Sequence, residues 1–194
     1  MRPEAMFEAV QEISHEQFPP NTWLRWFNEG LQDLAPALKL ETYEEFTITN
    51  AKERDLPGDI LEIVKFKLEK NNETTDLEPV GTGEDAGSGS YWIWDDKVHF
   101  PENETGTLKL WYYRRPAKFA LGSNRPDIQE GYEDAVILYA AAKSKAPDRW
   151  LTDKDDFYRD YLVRKHQIEL ERNRQLRRPR RAKVPPFTAG GRFR

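Results

Sequence analysis

Apolar positions recur at helical spacing through the first forty residues. Phe7, Val10, Ile13 and Phe18 form one run. Pro19-Pro20 breaks it, and Asn21 or Thr22 is placed to cap a restart. Trp23, Trp26, Phe27, Leu31 and Leu34 then fall at i, i+3, i+4, i+8 and i+11, an apolar stripe along one face that Pro36 stops. From residue 41 to 116 the period drops to two. Phe46 and Ile48 alternate with Thr47 and Thr49, and Val64, Phe66 and Leu68 with Lys65, Lys67 and Glu69. Leu108, Leu110 and Tyr112 alternate with Lys109, Trp111 and Tyr113. Tyr91, Trp92, Ile93 and Trp94 face Val98, His99 and Phe100 across Asp95-Asp96-Lys97, the pattern of a tight hairpin. Four to six antiparallel, meandering strands are expected, with residues 74–90, rich in Gly, Asp, Glu and Ser, as a mobile loop.

Helical spacing returns after Pro126, with Asp127 a candidate cap. Ile128, Tyr132, Ala135, Val136, Tyr139 and Ala142 form one face, and Ile137, Leu138, Ala140 and Ala141 fill the others, so this helix should be central. Pro147-Asp148 ends it. Trp150, Leu151, Phe157, Tyr158, Tyr161, Leu162, Ile168 and Leu176 carry a last helix. Over residues 151–177 it would measure roughly 40 Å at ~1.5 Å per residue. Arg164, Lys165, Arg172, Arg174 and Arg177 make its far half too polar to fold back on a core, so it should project. Beyond Pro179 no periodicity survives, and Pro185-Pro186 and Gly190-Gly191 forbid a helix. Residues 178–194 read as an extended basic arm that orders on binding, with Phe187 and Phe193 spaced along it as anchors. The expected fold class is α+β: a helical bundle with an antiparallel β insertion, a long C-terminal helix and the extended C-terminal arm. Its parts are N-terminal helices over 1–40, the β insertion over 41–116, helices completing the bundle over 117–177 and the arm over 178–194.

Composition sharpens this picture at two points. The chain is 33% charged against 38% hydrophobic, wetter than an ordinary domain, so its core rests on six Trp, eight Tyr and ten Phe. Such a chain completes its burial against copies of itself or a partner. The net charge of -4 conceals a split: residues 172–194 hold nine Lys or Arg and no acid, which leaves the preceding body at -13. A polyanion or an acidic protein surface is the partner that such a tail suits.

Candidate chemistry is sparse. Cysteine is absent, which removes disulfides, Cys-bearing zinc sites and thiol nucleophiles. His15, His99 and His166 lie in three distant segments without ligand spacing, so no metal and no cofactor are expected. Gly81-Thr82-Gly83 resembles a phosphate loop only superficially, since Glu84 and Asp85 repel phosphate and a strand follows. Asp153 to Asp156 lacks the Gly and terminal Glu of a calcium loop and suits a helix start. No nucleophile–base pair is visible, so an enzyme is not expected. No run approaches the ~18 apolar residues of a membrane span, and the first ten residues have no signal-peptide character, so a soluble protein made in a cytoplasm is expected. Arg114 and Arg115, closing the last strand, either lay their stems over aromatics or meet a neighbouring subunit. The sharpest signal is the cluster Arg172, Arg174, Arg177, Arg178, Arg180, Arg181 and Lys183, followed by Phe187 and by Arg192-Phe193-Arg194. Arg suits bidentate pairing with carboxylate or phosphate, and the aromatics suit pockets on a folded partner.

In order and spacing these segments resemble the head-to-tail connector, adaptor or head-completion proteins of tailed double-stranded DNA phages. The likeness rests on Trp23-Leu24-Arg25-Trp26-Phe27-Asn28-Glu29-Gly30 with Asp33-Leu34-Ala35, and on Asp55-Leu56-Pro57-Gly58-Asp59-Ile60-Leu61-Glu62-Ile63. It rests also on the Tyr91 to Val98 hairpin, on Tyr112-Tyr113-Arg114-Arg115-Pro116, and on Tyr132-Glu133-Asp134-Ala135-Val136 with Tyr139-Ala140-Ala141-Ala142. None of these motifs is catalytic. The resemblance implies a non-enzymatic virion protein, assembled in the host cytoplasm into a homo-oligomeric ring, usually a dodecamer. That ring sits between portal protein and a downstream tail or nozzle protein, and double-stranded DNA passes through it during ejection without specific binding. It also implies a portal-binding arm, here Arg177, Arg178, Arg180, Arg181, Lys183, Phe187, Arg192, Phe193 and Arg194, while Arg114 and Arg115 are subunit-interface candidates by their place at the strand end. The alternative from another class is a nucleic-acid-binding accessory protein whose Arg-rich tail grips phosphates.

Overall fold

The computed structural model describes residues 2–81, 87–122, 127–145 and 155–177, with Arg177 given by its backbone alone. Helix α1 spans Pro3–Ser14, with proline in its first turn and His15 closing it in the left-handed region (φ 56°). Met6 and Val10 are its buried apolar side chains, while Ile13 is 39% exposed. Of the expected Phe7–Val10–Ile13 line, Val10 is sealed and Phe7 packs on the core, whereas Ile13, in the last turn, is left largely uncovered. Helix α2 spans Pro20–Leu38. Pro20 opens it and no side chain caps it, so neither Asn21 nor Thr22 takes that role. It also continues through Pro36 to Leu38 before Lys39 turns left-handed. A proline this close to the C-terminus costs one backbone hydrogen bond, which the packing of Ala37 and Leu38 tolerates.

The expected stripe on α2 is real. Trp23, Trp26, Phe27, Leu31 and Leu34 are essentially sealed from solvent. Phe18 places its ring edgewise against both Trp23 and Trp26, and Phe7 stacks on Phe27 at 5.4 Å. Helix α3 spans Glu133–Lys145, and Ala135, Val136, Ala140 and Ala141 are fully buried in it. It packs on α1, α2 and α4 alike, which makes it central as expected. It starts at Glu133 rather than near Asp127, which is engaged elsewhere.

Helix α4 spans Asp156–Arg177, about 33 Å at ~1.5 Å per residue. Its expected beginning at Trp150 and Leu151, and the start of the acidic run at Asp153, lie outside the described residues. Its far half does not project, contrary to expectation. Ile168 is fully buried, Lys165 pairs with Asp33, and Arg164 bonds Asp134 and the Gly131 carbonyl. Arg172 reaches the Leu38 and Lys39 carbonyls. Arg164, Lys165 and Arg172 each find a partner on the packed body, so these cations fasten the helix down instead of holding it away.

Six strands follow α2: β1 (Leu40–Asp55), β2 (Ile60–Lys70), β3 (Glu73–Asp76), β4 (Glu78–Pro79), β5 (Ser90–Trp94) and β6 (Lys97–Arg114). The central strand is β6. It pairs with β1 on one edge along almost its whole length, and with β2 then β5 on the other. All pairings are antiparallel except β4 with β5. Since β3 and β4 are separated only by Leu77, the path β3-β2-β6-β5-β4 curls back on itself around that buried side chain. Ile48, Phe66, Leu68, Tyr91, Val98, Phe100, Leu108, Leu110 and Tyr112 fill the second core.

Three strand expectations change. Val64 is 47% exposed, because register shifts between Ile63 and Lys65 and makes it a bulge. The segment opening the supposed mobile loop is partly ordered sheet: Asn71 and Asn72, both at positive φ, turn β2 into β3. Gly81 and residues 87–90 flank residues 82–86 of the phosphate-loop lookalike, and these five lie outside the described set. The β5–β6 hairpin is as expected, but its loop is Asp95-Asp96 alone, both left-handed, with Trp94 opposite Lys97. The fold class observed is mixed α+β, with four helices and a mostly antiparallel sheet.

Candidate functional site

The end of β6 nearest the helices gathers the two arginines expected either to lie over aromatics or to meet a neighbouring subunit. Arg114 is only half exposed, and its guanidinium forks onto both carboxylate oxygens of Asp127. That pair draws Asp127 below its ordinary carboxylate range, chiefly through the Arg114 hydrogen bond, with help from the Ala117 N–H. Arg114 thus ties the chain leaving the sheet, and its charge is met within the chain. Arg115 differs: its side chain is exposed, and its backbone N–H donates to the Asp59 carbonyl at 2.7 Å. A cleft of about 350 Å³ lies here, walled by Gln32, Gly58, Asp59 and the 114–118 segment.

Beneath it, the Tyr112 hydroxyl donates to Glu44 and to Asp59. Burial, then those acids, raise the Tyr112 pKa, so the phenol stays a neutral donor between two carboxylates. A few residues on, the Asn28 side chain bonds both the N–H and the carbonyl of Phe119, whose ring lies 5.9 Å from Phe27. The junction between sheet and helices is therefore fixed by side chains from α2, β1 and the β6 exit together.

The second site is where α4 carries the chain toward the arm. Arg172 Nε and Nη2 donate to the carbonyls of Leu38 and Lys39, and Lys39 Nζ donates to Asn173 Oδ1. The last turn of α4 is thereby clamped to the junction of α2 and β1. This internal role for Arg172 is not visible in its sequence neighbourhood, where it belongs to a basic run. Arg178, Arg180, Arg181, Lys183, Phe187, Arg192, Phe193 and Arg194 lie outside the described residues, as does the Arg177 side chain.

The third is the β5–β6 hairpin tip. Trp94 is 64% exposed and Ile93 45%, on a two-residue turn with little freedom. Trp92 stacks on His99 at 5.6 Å, and Lys97 pairs with Glu53 at 2.7 Å beside them. An aromatic side chain held rigidly in water is a ready anchor for a partner. Sequence reading found the hairpin but not its exposed tryptophan.

No group of three or more His, Asp or Glu is placed to hold a metal among the described residues, and no described helix is long and apolar enough to cross a membrane. What the three sites have in common is anchoring chemistry: a fork-bonded Arg–Asp junction, a helix clamped before a basic extension, and an exposed aromatic tip. No curated protein matches the chain. The family model described as SU10 adaptor protein matches residues 5–186, covering the whole sheet and the four helices but for the first two residues of α1, and the chain therefore belongs to that family of phage structural adaptors.

Proposed function

We propose that the chain is a subunit of an adaptor ring, of twelve copies, that joins the portal to the tail of a phage virion and forms part of its DNA channel. Family membership makes the chain a structural component of the virion that meets head or tail components. The observation that carries the finer reading is the charge split, a body at -13 followed by nine basic residues without an acid. An acidic wall repels DNA phosphate and keeps water between the two, so the duplex slides without sticking. The oppositely charged arm is steered to a neighbour, where Arg pairs and pocketed Phe hold it. Ordering such an arm costs about 1–2 kcal/mol per residue in backbone freedom. Several pairs, two anchors and repetition around a ring offset that cost.

In this reading Arg177, Arg178, Arg180, Arg181, Lys183, Phe187, Arg192, Phe193 and Arg194 bind the portal protein, and Arg115 faces a neighbouring subunit beside the Arg114–Asp127 pair. The β half, with Trp94 at its tip, faces the downstream tail or nozzle protein. Deleting residues 179–194 abolishes docking onto assembled portal viewed by electron microscopy; undiminished docking refutes the arm's assignment. Trp94→Ala impairs tail joining and leaves portal docking intact, and the reverse outcome sinks the assignment of the tip.

A further inference from the structure

Among the described residues, two faces of the helical half are left uncovered. Helix α3 packs on both α1 and α4, while these two make at most slight contact with each other, so their outward faces are separate surfaces. On α4, Tyr161 and Ile168 point inward. Positions 159, 163, 166, 170 and 174, three or four apart, make the outward stripe. Val163 and Leu170 within it are 55% and 42% exposed, with Arg159 and Arg174 at its ends. On α1, the outward stripe is Glu4, Glu8 and Glu12, all exposed, flanked by the exposed Ala5 and Ile13.

These stripes match in charge and in spacing. Neither Glu8, Glu12 nor Arg174 has an ion-pair partner among the described residues. Like charges at i,i+4 repel, so the α1 stripe is a standing cost in the isolated subunit that a cationic neighbour relieves. Val163 and Leu170 stand about 10 Å apart along α4, and Ala5 and Ile13 about 12 Å apart along α1. We infer that the α4 stripe of one copy packs on the α1 stripe of the next. Two different surfaces of one subunit make a head-to-tail contact, which closes into a ring when the rotation allows. The inference names the subunit contact of the ring proposed above and rests on that reading.

The chain has no cysteine, so engineered thiols report without background. Full-length protein carrying both Glu8→Cys and Leu170→Cys, alone and on assembled portal, is treated with a short bifunctional thiol crosslinker. The double variant gives a ladder extending beyond dimers. An equimolar mixture of the two single variants gives mixed dimers, and each single variant alone gives no product. Adding Glu12→Lys lowers the ladder several-fold, and adding Arg174→Glu to that restores it. A missing ladder in both samples, dimers from one single variant alone, or no restoration by the charge swap overturns the contact. If the ladder is missing while portal hides the thiol at position 170 from maleimide, the stripe belongs to the portal and the proposal falls. Electron microscopy of the same samples separates the two readings: rings without a ladder remove this contact and keep the ring, whereas a ladder without portal docking keeps the contact and removes the portal adaptor.

Discussion

Single residues decide how closely the elements approach. A Cβ on Gly30 would lie 2.9 Å from two ring carbons of Tyr139, so α2 and α3 meet only because position 30 has no side chain. Gly30→Ala gains helix propensity of up to ~1 kcal/mol yet forces the two helices apart. The clash outweighs the gain, and we expect a net loss of about 1–2 kcal/mol, read as a lower urea midpoint. Tyr139 itself is a phenol pushed up to about 12 by burial and then by Glu29 and Asp33, so it remains neutral while it fills that space. The Arg114–Asp127 fork adds a pH dependence whose sign is set by its carboxylate. Asp127 titrates below its ordinary value in the folded chain, mainly through the Arg114 hydrogen bond. Its contribution is therefore complete above the unfolded value, near pH 4, and disappears as pH falls through the folded value. Asp127→Asn should cost about 1 kcal/mol at pH 6, a figure already reduced for solvent screening of a partly exposed pair. At pH 3 the difference from the unaltered chain should shrink, and urea melts at both values check it.

At the scale of elements, what could be read in advance is what local periodicity controls. The α2 stripe and the Leu108–Leu110–Tyr112 alternation were legible because each side chain's burial follows from its own helix or strand. The exposure of Ile13 was not, since it shares a face with the buried Met6 two turns earlier and periodicity alone does not tell where along a helix its cover ends. The bulge at Val64 and the Asn71-Asn72 turn were missed for a related reason. A bulge breaks the alternation that would reveal it, and a turn of two Asn without glycine is a weak signal. The return of α4 was unreadable because its fastenings are distant in sequence: Lys165 to Asp33 spans 132 residues and Arg172 to Leu38 spans 134. Of the candidate sites, the arm and hairpin stood out by composition, whereas the partner of Arg114 looked like a helix cap. Arg172 makes the sharpest test at this scale. Arg172→Ala leaves two end-of-helix carbonyls without their donors and should loosen the last two turns of α4, with a loss of about 1–2 kcal/mol. Faster amide hydrogen exchange over residues 166–177, with α3 unchanged, is the expected outcome. Arg172→Lys should rescue only part of it, since an ammonium cannot reproduce the planar fork that reaches both carbonyls.

At the scale of the whole molecule, the two-signed charge distribution predicts how attachment responds to salt. An arm held by charge alone behaves like a polycation on a polyanion, and its grip falls steeply as ionic strength rises. An arm held also by Phe187 and Phe193 in pockets keeps an apolar contribution that salt does not screen. Raising ionic strength from about 0.1 M to 1 M shortens the screening length from about 10 Å to 3 Å, which removes steering and weakens exposed Arg pairs. Full-length protein already docked on portal should therefore survive that change in large part, although it forms more slowly there. The double variant Phe187→Ala with Phe193→Ala should dock at the lower salt and detach at the higher. Replacing Arg180, Arg181 and Lys183 by Gln should slow docking at low salt and make the residual binding less sensitive to salt than that of the unaltered chain. Sedimentation of portal-bound protein across the series checks all three. Equal salt sensitivity of the Phe variant and the unaltered chain would mean that the aromatics carry nothing. Strong binding to free duplex that falls steeply across the same series would move the arm's partner from portal to nucleic acid, because only phosphate neutralisation gives that dependence without a folded pocket.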